Sequence, residues 1–112
     1  MATGTLINGG TNPAALANTT NTTIYQVPDD TFVVATVSMV NRNAAQTATI
    51  RLAISAAETP ADAEFIEHGA QLLPGGTLER GGLVIEAGKY IVAYADGGNV
   101  SVMAYGIETA TA

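Results

Sequence analysis

Cysteine is absent, so the chain has neither a disulfide framework nor a thiolate metal site, and its stability must come from packing and association. Basic residues are nearly as scarce. Arg42, Arg51, Arg80 and Lys89 are scattered singly against ten acidic side chains, for a net charge of −6. With no Lys/Arg cluster there is no electrostatic footprint for a nucleic acid, and an anionic membrane surface is disfavoured on the same ground. No apolar run approaches the roughly 18 residues that a membrane-spanning helix needs. Met1–Asn8 lacks a basic flank and a sustained apolar stretch, so no secretion signal is expected there. Synthesis and retention in a cytoplasm, until assembly or release, is the corresponding expectation.

Charged residues of either sign make up 12% of the chain, against a usual share of roughly 25%. Thr, Ala, Asn, Gly and Gln must therefore supply most of the surface. Two explanations stand side by side: a Thr- and Asn-rich soluble surface, or a surface partly covered by neighbouring molecules. The length of 112 residues suits one domain, with a core small enough for partner burial to matter.

What the chain does have is β pattern. In Ala48-Thr-Ile-Arg-Leu-Ala-Ile-Ser55, Ala48, Ile50, Leu52 and Ile54 alternate with Thr49, Arg51 and Ser55, the period of a strand with one buried face. Further strands are expected at 22–27, 31–41, 77–86, 89–95 and 100–107, with turns at Pro28-Asp-Asp30, Asn41–Gln46, Leu73-Pro-Gly-Gly76, Ala87-Gly88 and Asp96–Asn99. Strands 89–95 and 100–107, four residues apart, read as a hairpin. Val37, Ile50, Leu52, Ile54, Val92 and Val102 are the expected core. Thr59-Pro60 followed by Asp62 and Glu64 carries a helix-start signature, so one helical turn or a loop is expected there, crossing between sheets before a short strand at Phe65–His68. The fold class is all-β: an antiparallel β-sandwich, jelly-roll-like, over residues 22–112. Residues 1–21, poor in large apolar side chains, form an extended N-terminal arm with a short helical turn allowed at Pro13–Ala17. Leu6, Ile7 and Leu16 are its candidate anchors. The arm is expected to lie on a neighbouring subunit, with folding back onto its own body as the competing arrangement.

No catalytic constellation emerges. His68 is the single histidine; Glu64 would share a helix face with it at i and i+4, but a loop or edge position facing water suits these residues better than a metal site. Asp29-Asp30 follows Pro28 where a turn wants Asp for local hydrogen bonds, which accounts for it better than acid–base or calcium chemistry does. No serine lies in a nucleophile elbow, and the glycine pairs form no phosphate loop. No catalytic, metal or cofactor-binding residue is expected, and no cofactor. Tyr25, Tyr90, Tyr94 and Tyr105 could stack on sugars, or pack at a sheet rim with the hydroxyl wet; Tyr90 and Tyr94 are candidates for subunit contact.

Thr23-Ile-Tyr-Gln-Val-Pro28, an apolar strand ending in Asn41, Leu73-Pro-Gly-Gly-Thr-Leu-Glu79, Leu83-Val-Ile-Glu-Ala-Gly-Lys89 and Asn99-Val-Ser-Val102 with Gly106 together resemble the small β-sandwich modules of tailed-bacteriophage particles. The resemblance covers roughly residues 22–108. It departs at Pro28-Asp-Asp30, where such modules more often have Pro-Ala-Gly, and at Lys89, where Asp is common. Those modules serve as capsid decoration (cement) proteins, tail and baseplate components and fibre modules, without catalytic residues. The resemblance therefore implies a virion structural protein. Its partners would be the major capsid protein or other virion proteins, and itself in a homo-oligomer, with threefold capsid sites suggesting a trimer. The acidic balance suits the outer surface of the particle, away from packaged DNA. A tail, baseplate or fibre component and a glycan-binding β-sandwich are the alternatives.

Overall fold

The structure, a computed structural model, describes residues 3–6, 13–16 and 18–111. Among the described residues the strands run β1 (Thr3–Leu6), β2 (Pro13–Ala15), β3 (Thr22–Gln26), β4 (Thr31–Asn41), β5 (Ala48–Ser55), β6 (Phe65–Leu72), β7 (Thr77–Ile85), β8 (Tyr90–Asp96) and β9 (Val100–Ala110). The first sheet has the order β1–β9–β4–β7, with β2 also on β9; the second has the order β3–β8–β5–β6. All these pairings are antiparallel.

The pairing has a simple origin. β5 pairs with β6, β4 with β7, β3 with β8, and β1 and β2 with β9, as in one long ribbon doubled back at residues 56–64. Rolling that ribbon up adds two pairings, β4 with β9 and β5 with β8. The result is a jelly roll, a sandwich of two sheets closed by Greek-key connections. Alternating side chains fill the space between. Val33, Ala35, Val37 and Met39 of β4 meet Ile50 and Leu52 of β5, Ile91 and Ala93 of β8, and Val100, Val102 and Ala104 of β9 in one buried cluster.

Five of the six expected core residues are buried; Ile54 is half-buried, packed against the cluster at one end. Val92 is buried outside that cluster, because Ile91 and Ala93 take the inward positions of β8.

Several expectations are corrected. β8 and β9 are not a hairpin: they belong to different sheets, and residues 96–99 carry the chain across. The reason lies at Gly98, whose φ of 64° and place against Asn41 turn the chain into the opposite layer. The β5–β6 connection does the reverse. It stays within the second sheet, and the strand after it runs to Leu72. The helical turn Asp62–Glu64 starts after Ala61 rather than at Thr59, because the Glu64 carboxylate folds back to accept from the Ala61 and Ala56 amides, each at 2.8 Å.

The arm also differs. Pro13–Ala15 is a strand opposite Ser101–Met103, not a helical turn, since an edge strand tolerates proline and so short a segment gains more from sheet pairing than from a helix nucleus. Thr3–Leu6 pairs with β9 at Ile107–Thr109. Both stretches thus fold back on the chain's own body, the arrangement set against docking on a neighbour, and they supply the outer strand of the roll. The chain then passes to the second sheet, where Asn18 bridges Ala95.

One end of the sandwich is tied by Asn41, a fully buried carboxamide. Its Nδ2 donates to the carbonyls of Gln46 (2.7 Å) and Leu72 (3.1 Å), and its Oδ1 accepts from the amides of Asn43 (3.0 Å) and Asn99 (3.2 Å). At the other end the buried Tyr25 hydroxyl of β3 donates to the Glu108 carboxylate of β9, linking the two sheets.

Candidate assembly surface

Inward positions of β4 are odd-numbered, so its even-numbered side chains face out from the first sheet. Register then places Val84 of β7, Val34 of β4 and Ile107 of β9 side by side in one row. These three are 71%, 44% and 48% exposed; Val34 and Ile107 lie on inner strands of the sheet and Val84 on its edge strand. β1 pairs with β9 at the edge of the sheet, with Leu6 in register with Ile107. Tyr105 and Met103 continue the exposed apolar surface along β9.

Polarity on this face comes from hydroxyls rather than charge. Thr36 and Ser38 stand opposite Tyr105 and Met103, and among the described residues of β4, β7 and β9 the face carries one carboxylate, Glu79. Glu79 accepts from the Tyr105 hydroxyl at 3.0 Å, which raises Tyr105 above the ordinary phenol range. The apolar surface also turns the corner of the sandwich. Phe32 and Val84 continue into a cleft of about 360 Å³, with Ile54 and Ile85 in its wall and Glu86 and Lys89, 3.8 Å apart, at its rim. Along the β6–β7 side the sandwich is closed by Arg80, whose guanidinium lies 2.5 Å from the Glu67 carboxylate.

Such a face can bury surface against another protein, and the magnitude is modest. Completing the burial of three half-exposed aliphatic side chains is worth about 1 kcal/mol each. A millimolar complex already needs about 4 kcal/mol. One copy held by this row alone would fall off, so attachment through it calls for further contacts or for many copies acting together.

The candidate contact residues named from sequence do not converge here. Leu6 lies at the sheet edge by register; Ile7 is outside the described residues. Leu16 is half-buried against the core, its amide donating to the Val100 carbonyl at 2.9 Å. Tyr90 and Tyr94 are half-buried on the outer face of the second sheet. Nor do the four tyrosines form one platform, for Tyr25 is buried and Tyr105 is on the opposite sheet. Sequence reading missed Val34, Val84 and Ile107. The signal was in the runs Phe32-Val-Val-Ala-Thr-Val-Ser-Met-Val40 and Leu83-Val-Ile85, where apolar residues fill both phases of the alternation and both faces therefore want cover.

Glu64 and His68 share no helix face. The Ala61 and Ala56 amides hold the Glu64 carboxyl below its ordinary range, and His68 packs edge-on against Phe65 at 5.0 Å. Asp30 takes a turn conformation at φ 53°, with Thr31 Oγ1 donating to the Asp29 carbonyl at 3.0 Å. No group of three or more His, Cys, Asp or Glu among the described residues is placed to hold a metal ion. No protein-family model, curated protein or solved structure matches the chain.

Proposed function

We propose that this protein is a non-enzymatic structural component of a bacteriophage virion, a capsid decoration protein that bridges neighbouring major capsid subunits from outside as a homo-oligomer. The observation that carries this reading is the exposed row Val84–Val34–Ile107 across the first sheet, on a face with a single carboxylate among its described residues. A compact roll with a flat apolar and hydroxyl-rich face suits repeated seating on a regular protein lattice. The weak contact available to each copy is offset by the number of copies. The charge balance of −6 favours the outside of a DNA-filled shell. The resemblance of the strand and turn pattern to phage β-sandwich modules supports the same reading.

Mass spectrometry and immunogold labelling of particles from the encoding phage test it. The expected outcome is labelling over the heads in many copies. Absence from particles, or labelling confined to tails, overturns it. A Val84→Asp variant puts a charge into the row at its most exposed position, on the edge strand β7, and should shift stability by less than about 1 kcal/mol. It should nevertheless lose particle attachment in a reconstitution assay; unchanged attachment would remove this face from the interface.

A further inference from the structure

The outer face of the second sheet has a different chemistry. Register aligns Tyr94 of β8, Arg51 of β5 and His68 of β6 in one row across three strands. The Arg51 guanidinium carbon sits 4.5 Å over the Tyr94 ring, and Phe65 meets the His68 ring edge-on at 5.0 Å. Tyr90 lies on the same face as Tyr94, four residues earlier along the strand. Among the described residues the two ion pairs use Arg80 and Lys89, and Arg51 meets no carboxylate. The nearby Glu67 faces the other way, engaged by Arg80; Asp96, opposite Thr49, marks the acidic end of the face.

We propose that this row binds a carboxylated sugar of an acidic oligosaccharide, with Arg51, laid against the Tyr94 ring, receiving the carboxylate and the Tyr90 ring receiving the pyranose face. A guanidinium presents paired N–H donors that match a carboxylate, and its position on the Tyr94 ring restricts it in advance, so less rotamer entropy is lost on binding. His68 adds a ring nitrogen donor from the adjacent strand. The C–H face of a pyranose is apolar and faintly positive, complementary to the negative face of an aromatic ring. The row extends about 10 Å across strands, and Tyr90 to Tyr94 about 13 Å along β8, a footprint for a short oligosaccharide. The overall charge of −6 opposes an anion at long range, but at physiological ionic strength that repulsion is screened beyond about 8 Å, leaving the local cation to decide. An acidic peptide would satisfy Arg51 yet leave the Tyr90 ring uncovered, which favours the sugar. The site is on the opposite face from the proposed assembly surface and does not depend on it.

Calorimetric titration of the full chain with a short oligogalacturonate, its methyl ester and a triglutamate peptide tests the assignment. Saturable binding of the oligogalacturonate is expected, with the ester and the peptide each at least about tenfold weaker, a gap of about 1.4 kcal/mol. Arg51→Ala should lower affinity by about tenfold or more and Arg51→Lys should restore part of it; Tyr94→Leu should weaken binding while Tyr94→Phe retains it. Arg42→Ala, a cation held by Ser101 on the first sheet, should change nothing. Circular dichroism melts confirm that each variant is folded. No saturable binding, equal binding of the ester or the peptide, or an equal loss with Arg42→Ala would each overturn the proposal.

Discussion

The Asn41 side chain satisfies partners from three separate crossings between the sheets: residues 42–47, the Leu72 end of β6 and the turn at 96–99. Replacing it with Leu keeps the volume and strands two carbonyls and two amides at a site with no exposed surface. At about 1–3 kcal/mol for each buried group left without a partner, Asn41→Leu should cost at least about 3 kcal/mol, read from the urea unfolding midpoint. Tyr25 makes a second residue-level prediction. Burial first, and then the Glu108 carboxylate, push its hydroxyl far above the ordinary phenol value of 10.0. Below pH 10 the folded and unfolded states hold the same proton and stability is unaffected by this group. Above pH 10 the unfolded state ionises while the folded state cannot, so stability should fall by about 1.4 kcal/mol per pH unit. Chemical denaturation at a series of alkaline pH values should show this slope in the native chain and a shallower one in Tyr25→Phe.

At the scale of elements, β9 is held on both sides, by β4 and by the two short strands of the arm. Its fit to β4 depends on Gly106, where a Cβ would lie 2.0 Å from the Val34 carbonyl oxygen and 2.8 Å from Ala35 Cα. Backbone cannot yield as a flexible side chain can, so Gly106→Ala should push the two strands apart. A drop in stability of several kcal/mol is the expected result, measurable by thermal melt, along with loss of hydrogen-exchange protection at Ala35. The arm matters for the other side. Removing residues 1–21 would uncover the β9 backbone at 101–103 and 107–109, an unprotected edge beside the exposed Ile107. Size-exclusion chromatography should then show self-association of the truncated chain. A truncated chain with the same association state as the full chain and equal stability would mean that β1 and β2 add nothing to the roll.

Across the whole molecule, the two outer faces divide the chemistry. Among the described residues, the outward positions of β4, β7 and β9 present aliphatic side chains, hydroxyls and one carboxylate; the second face presents tyrosines, an arginine and a histidine, with Asp96 at its end. A chain with 12% charged residues cannot shield both faces with charge, and it leaves the first nearly bare. The Val84→Asp and Arg51→Ala variants probe the two faces separately.

Within residues 22–112 the existence of the strands was determined by the sequence alone, whereas β1 and β2 were not foreseen. β4 and β5 appear at their expected limits, because period-two alternation and turn residues are local signals. The all-β class followed from them, as did the turn role of Asp29-Asp30. Tertiary structure decided which strand pairs with which. Residues 96–99 look like a hairpin turn locally, and only the Asn41 carboxamide, 58 positions away from its partner Asn99, draws them into a crossing between layers. Pro13–Ala15 became a strand for the same reason, since its partner Ser101–Met103 lies at the far end of the chain. The candidate surface was half legible: the doubly apolar run of β4 was visible, but its meeting with Val84 and Ile107 depends on pairings between distant strands. Local propensity reaches over a few residues, whereas a rolled ribbon brings together the two ends of the chain, and no window of sequence spans that distance.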